Sequence, residues 1–467
     1  MEVGRRYRIS MVKESKRRSP ARGFHELDIY LDRNESLSHA VEIVRKLQSK
    51  GFVAYFAGGV VRDMLVGKIS DDIDIATSAK PEEVFALFPK CYEIGAAFGI
   101  INIIVEGMPY EVATFREERG YQDGRHPDEV KYTLNPETDA LRRDFTVNGM
   151  FYDPVKNEIH DFVGGQQDLA RGELRTIGNP VDRFSEDYLR ILRAIRFAVR
   201  FGLRISDDMP PAMSRYSREL KKLSAERIRD ELNKMLTGTE PERAFRLMDE
   251  YGILDEVLPE ISGLKGVTQH NEYHPEGDVF EHTMLMLSHM AYPEEKLAWA
   301  ILLHDIGKPS TKSMGQDGIE HFYTHEHKSA EMAEKVLKRL KFPSSDTEDI
   351  IKAVRDHMRF AHVREMRPAK WKRLMAESTF PLENELHRID CVSSHGKTDC
   401  FVFLLDKMNE QANEIKLPPP LVTGNDLISL GMKPGPAFKD ILGKICDLQL
   451  EGKLRTREEA LALLKDM

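Results

Sequence analysis

Phe52-Val53-Ala54-Tyr55-Phe56-Ala57 runs into Gly58-Gly59-Val60-Val61-Arg62-Asp63, and Asp72-Ile73-Asp74-Ile75 follows closely. An apolar run closed by paired glycines reads as a buried strand ending in a Gly-rich turn. Glycines let the backbone approach a triphosphate, and the N–H groups of such a turn can face its oxygens. In Asp72-Ile73-Asp74-Ile75 the period of two places both carboxylates on one face of a strand and both isoleucines on the other. Carboxylates so placed can hold Mg²⁺ ions that bridge a nucleotide's phosphates and activate an attacking hydroxyl. Turn and carboxylates together, at this spacing, point to nucleotidyl transfer.

Outward from this core, residues 36–50 have helical periodicity, with Ser36 as the expected N-cap. Residues 98–116 read as two strands joined by a Glu106-Gly107-Met108-Pro109 turn, and Glu111 on the second is the expected third carboxylate. Arg116 to Lys131 is polar, carries Gly120 and Asp123-Gly124-Arg125, and reads as a loop. From about residue 180 the pattern is helical, notably over 187–203, 224–238 and 241–256. Leu417-Pro418-Pro419-Pro420 reads as a stiff connector before a short terminal unit.

A chain of 467 residues is too long for one compact core. With 41% hydrophobic and 31% charged residues, and no apolar stretch long enough to span a bilayer, it is expected to be soluble and cytoplasmic, with no membrane partner. Cys91, Cys391, Cys400 and Cys446 form no paired Cys-x-x-Cys spacing and fit thiols in a reducing compartment. A net charge of −9 argues against coating nucleic acid by bulk charge. The basic stretch within residues 5–22 reads as a solvated leader, with an RNA-touching arm as the rival reading.

Leu141-Arg142-Arg143-Asp144-Phe145-Thr146-Val147-Asn148, Asp161-Phe162-Val163-Gly164-Gly165, and Glu186-Asp187-Tyr188-Leu189-Arg190 follow in order. These motifs, after the glycine turn and the Asp pair, resemble the class II tRNA nucleotidyltransferase and bacterial poly(A) polymerase family across roughly residues 30–260. Gly58, Gly59 and Arg62 are expected at the triphosphate, with Arg62 as a phosphate fork. The resemblance implies that Arg143, Asp144 and Asn148 surround the sugar and phosphates. It also implies that Asp187 and Arg190, on one face of a helix over 186–197, mimic a complementary base edge. Arg193 and Arg196 match positions that contact the nucleotide, and Asp123–Arg125 resembles the segment that reorganises the pocket for ATP.

Leu302-Leu303-His304-Asp305-Ile306-Gly307-Lys308 resembles the HD phosphohydrolase signature, with His282, His325, His357 and Asp390 as the implied further ligands of a divalent metal. The expected fold is α+β. A nucleotidyltransferase head with a small mixed sheet (29–178) follows the leader (1–28) and precedes an all-α neck (179–265). An HD-type helical domain (266–410) and a short helical cap (421–467) complete it. The activity implied is addition of C, C and A to the tRNA 3′ end from CTP and ATP, with Mg²⁺ at Asp72 and Asp74. Rival readings are a poly(A) polymerase, a partial enzyme adding only A or only CC, and a metal phosphohydrolase with an RNA-binding head.

Overall fold

The computed structural model describes residues 34–68, 72–95, 99–120, 129–269, 277–316, 319–410 and 417–465. The basic leader and Asp123–Arg125 lie outside these residues. The chain divides into two compact units, one comprising residues up to Arg190 with Leu203–Ala212, the other Ile191–Gly202 with Met213 onward.

The first unit is built on strands β1 (Ala54–Ala57), β2 (Ile75–Thr77), β3 (Cys91–Gly95), β4 (Ile100–Val105) and β5 (Met108–Thr114). A ribbon of β6 (Arg116–Arg119) and β7 (Glu129–Tyr132) follows, then β8 (Phe151–Asp153) and β9 (Glu158–His160). Seven of these form one sheet in the order β3-β4-β5-β2-β1-β8-β9. Only β2 and β5 pair in parallel, so the sheet is mixed, as expected. One face carries Phe56, Ile75, Ile101, Ile103, Tyr110 and Val112 in the main core, where helix Glu35–Ser49 contributes Leu37, Ala40, Val41, Val44 and Leu47. Those helix positions recur every three or four residues, and burying a side chain such as Leu47 contributes roughly 2 kcal/mol.

Several boundaries differ from the sequence reading. Asn34, not Ser36, caps the first helix: its side chain accepts from Leu37 N at 3.0 Å, while the Ser36 hydroxyl turns to Met108. Asp72 to Asp74 precede β2 rather than lying within it, yet the alternation survives, with Ile73 buried and Asp72 exposed. The β4–β5 turn is tighter than expected, because Glu106 and Gly107 both adopt positive φ, leaving Met108 and Pro109 in the strand. Within the stretch expected as a loop, Arg116–Arg119 and Glu129–Tyr132 pair as β6 and β7.

The second unit is predominantly helical among the described residues. Helix Glu295–Leu303 is buried on every side from Leu297 to Leu303, which marks it as the centre of its domain. A separate apolar cluster joins Val422, Leu427, Ile445, Leu454, Ala460 and Leu464 near the C-terminus.

Candidate active site and metal centre

The register of β1 and β2 brings the glycine turn to the carboxylates. Phe56 pairs with Ile75, and Ala57 N donates to Asp74 O at 2.9 Å. Gly58 therefore sits at the strand end beside Asp74. Its φ is +67°, and a Cβ there would stand 2.9 Å from Arg143 Nη1, so both conformation and space require glycine. Gly59 opens the short helix Gly59–Leu65.

The parallel register pairs Ile75 with Val112, which sets Asp74 beside Glu111 one residue earlier. Burial raises the Asp74 carboxyl to about 6, helped by the charges of Asp72 and Glu111 and opposed by Arg143. A half-buried carboxylate pushed up by two like charges is a site that a cation would relieve, so these residues fit a divalent ion. Their oxygens are not drawn together as closely as those of the histidine domain, where triads lie within 4.8 Å.

Arg143 is held in place by Asp139, to whose Oδ2 its Nε and Nη2 donate at 3.2 and 3.0 Å, and its guanidinium lies 5.0 Å over the Phe151 ring. Asp139 also accepts from Arg142 Nε at 2.8 Å. Burial alone would raise Asp139, but Arg143 and Arg142 outweigh it and hold the carboxyl low. The sequence reading missed Asp139. Its spacing of three and four residues before the two arginines was the available signal.

Arg62, Asp144 and Asn148 are buried and directed largely at one another. Arg62 donates to Asp63 Oδ1 from Nε and Nη2 at 3.0 and 2.8 Å, and to the Asn148 carboxamide oxygen. The Asn148 amide nitrogen in turn donates to Asp144 Oδ1 at 3.0 Å. Arg62 is only 3% exposed. The three residues form a framework under the glycine turn.

Asp187 and Arg190 do not share the continuous helix expected from sequence. Asp187 has φ −147° and ends helix Pro180–Glu186, and its carboxylate accepts from Leu189 N at 3.0 Å to start the next. Arg190 pairs with Glu186 and donates to Arg183 O at 2.9 Å. Arg193 lies with its guanidinium 5.2 Å over the Phe197 ring. Arg196 is buried and donates from Nε to Glu231 at 2.6 Å.

In the histidine domain all six expected ligands converge. They form two triads, His282 with His304 and Asp390, and Asp305 with His325 and His357. His282 Nε2 stands 3.2 Å from Asp390 Oδ1, His304 Nε2 3.1 Å from Asp305 Oδ2, and His325 Nε2 3.3 Å from both Asp305 Oδ1 and His357 Nε2. His304, His325 and His357 each sit at a helix boundary, where Nδ1 meets the carbonyl three residues earlier at 2.8, 2.8 and 2.6 Å. Donation from Nδ1 fixes the tautomer and leaves Nε2 with its lone pair pointing inward, as a metal ligand requires. Burial lowers His357 to about 3, keeping it neutral.

Both Asp305 oxygens are buried without a well-directed hydrogen bond, although Lys308 Nζ lies 2.6 Å from Oδ2. Against the effect of burial, His304 and Lys308 hold this carboxyl well below its ordinary value. An ionised carboxylate with undirected lone pairs among imidazole nitrogens fits a divalent cation. Gly307 is required beside it, since a Cβ would lie 2.6 Å from both His325 O and Ser329 N. A third acidic group, Asp356 with Glu377 and Glu383, is already neutralised by Lys352 and Arg359 and reads as a structural ion network.

Sheet, glycine turn and carboxylates, with a histidine–aspartate cluster further along, define a nucleotidyltransferase head joined to an HD domain. Residues 54–175 match the family model of the poly A polymerase head domain, 202–264 that of the "probable RNA and SrmB-binding site of polymerase A", and 278–391 that of the HD domain. The CCA-adding enzyme of Lactobacillus helveticus is 31% identical over 424 residues, 90% of this chain and 95% of its own length. That of Bacillus pumilus is 41% identical over 232 residues, 50% of this chain and 57% of its own. The crystal structure of the Bacillus stearothermophilus CCA-adding enzyme in complex with CTP aligns with a TM-score of 0.71 and 26% identity, covering 93% of this chain and 98% of that one. The chain belongs to the family of CCA-adding enzymes. Among its described residues no helix is long and apolar enough to cross a membrane.

Proposed function

We propose that this chain adds C, C and A in turn to the 3′ end of tRNA, using CTP and ATP, and works in the cytoplasm. Asp74, pressed by Asp72 and Glu111 at the mouth of the Gly58 turn, carries the reading. Asp72, Asp74 and Glu111 would hold Mg²⁺. When bound, that ion supplies Lewis acidity toward the α-phosphate and the attacking hydroxyl. Gly58 lets the backbone approach the triphosphate, and Gly59 continues that approach. Arg143, braced by Asp139, offers positive charge toward the phosphates. Arg62 at the glycine turn serves the triphosphate, and Asp144 and Asn148 border the sugar. Asp187 accepts and Arg190 donates toward the base edge, once Arg190 exchanges Glu186 for the nucleotide. Arg193 and Arg196 border the nucleotide, with Arg196 braced by Glu231.

The domain reading is a head over 29–178, a neck over 179–265, an HD domain over 266–410 and a cap over 421–467. His282, His304, Asp305, His325, His357 and Asp390 would hold a divalent cation, and we assign to them hydrolysis of phosphate esters. The lone pairs of three backbone-tethered imidazoles support this second activity.

The test uses purified protein, Mg²⁺ and tRNAs ending before CCA, after C, or after CC, each with labelled CTP or ATP, beside an unstructured RNA. Stepwise CTP then ATP incorporation that stops at CCA is the expected result. Long ATP-only tails on any RNA would make the chain a poly(A) polymerase instead.

A further inference from the structure

The strand order gives the transferase site a direction. Reading β3-β4-β5-β2-β1, the glycine turn at the end of β1 lies on one side of the carboxylates, and β4 and β3 lie on the other. Asp74 stands beside Glu111 by the β2–β5 register. Transfer to a hydroxyl needs the attacking and leaving oxygens roughly in line through the α-phosphate. With the β- and γ-phosphates at the Gly58 turn, the leaving oxygen is on the β1 side. The attacking hydroxyl then arrives from the β5 side, and the RNA end that carries it lies over β4 and β3.

That half of the sheet presents an aromatic ring. Glu111 is paired across the strands with Asn102 on β4, and Asn102 with Tyr92 on β3, the edge strand. Ile75, Tyr110, Ile103 and Cys91, one on each strand, pack into or against the main core. Alternation therefore sends Asp74, Glu111, Asn102 and Tyr92 to the opposite face. Tyr92 is 50% exposed, and its hydroxyl accepts from the Asn102 amide nitrogen at 3.2 Å. That bond tips the ring from β3 toward β4, the side of the carboxylates, and anchors its far end. Its backbone stands two strand spacings, about 10 Å, from that of Glu111. A ring anchored at its tip and half open to solvent suits nucleobase stacking, since every base has a π-face and a Tyr has few torsions to lose.

We infer that Tyr92 stacks on the base of the RNA's last nucleotide, the one whose 3′ hydroxyl attacks. The inference rests on the reading that the Gly58 turn takes the triphosphate and that Asp72, Asp74 and Glu111 hold a divalent cation. The incoming base is served elsewhere, by Asp187 and Arg190 in that same reading. Stacking tolerates any base, which suits a 3′ end that changes as C, C and A are added.

The test measures CTP addition by the full chain with Mg²⁺, varying in turn CTP and a tRNA that ends before CCA. Tyr92→Ala is expected to raise KM for tRNA about 10-fold and to leave KM for CTP within about twofold. Tyr92→Phe keeps the ring but loses its anchor, and should raise KM for tRNA about 3-fold. A tRNA whose last nucleotide carries 2-aminopurine reads the contact directly: its fluorescence should be quenched on binding the parent and much less on binding Tyr92→Ala. In Tyr92→Ala, an unchanged KM for tRNA or an unchanged quench overturns the inference, as does a rise confined to KM for CTP. If the parent itself adds no nucleotide to tRNA, the reading of the site falls and the inference with it.

Discussion

The two candidate metal-ligand clusters are wired in opposite ways. At the sheet end, Asp74 is half-buried against two like charges, and no imidazole or backbone tether orients it. In the HD domain, His304, His325 and His357 are each fixed by a backbone carbonyl and shut away from solvent. The first arrangement carries electrostatic strain that a cation entering with a nucleotide would relieve. The second is organised in advance and suits a resident ion. The difference follows from position: a strand end opening on solvent in one case, the centre of a helical domain in the other.

The sharpest way to break this contrast is Asp74→Ala. Nucleotide addition should fall at least about 1,000-fold, since the ligand sits where charge is stabilised, while phosphate-ester hydrolysis stays within twofold. Addition surviving within tenfold of the parent would remove Asp74 from the site.

Asp139→Ala comes next. It leaves Arg142 and Arg143 without their shared buried carboxylate, and urea unfolding should show a loss of about 3 kcal/mol. A loss below roughly 1 kcal/mol would mean that the two arginines find other partners.

His304→Ala should lower the divalent-metal affinity of the histidine cluster at least about 100-fold and abolish hydrolysis, with CTP addition unaffected. Atomic absorption after dialysis reads the first effect directly. A full complement of retained metal would show that the six residues are not its ligands.

The smallest effect is on stability and has a definite sign. The folded Asp74 carboxyl sits at about 6 against an ordinary 3.8, so the native state holds the extra proton between those values. Its contribution to stability is therefore fully present below pH 4 and is lost as pH rises through about 6. In EDTA, Asp74→Asn should accordingly be more stable than the parent by about 1–2 kcal/mol at pH 7.5 and equal to it near pH 4. An Asn variant less stable at pH 7.5 would show that Asp74 is not strained by its neighbours.

Much of the site could be read from short-range pattern. The apolar run before Gly58, the Asp72–Asp74 alternation and the His304-Asp305 pair express local geometry, and the structure brings the expected partners to each. Asp187 was misread because its helix was taken as continuous. An Asp just before an apolar helical run is equally an N-cap, and that is the role its carboxylate takes at Leu189. Ser36 failed for the opposite reason, since Asn34 two residues earlier offers a cap of the same kind.

The sequence by itself determined the glycine turn, the carboxylate alternation and the His304-Asp305 pair, because each depends on residues close together in the chain. Only the tertiary structure decided what the arginines do. Arg62 turns inward to Asn148, 86 positions away, and Arg196 to Glu231, 35 positions away. A guanidinium is long and can serve phosphate or carboxylate equally well, so its partner is set by which acceptor the fold brings within reach in a buried place.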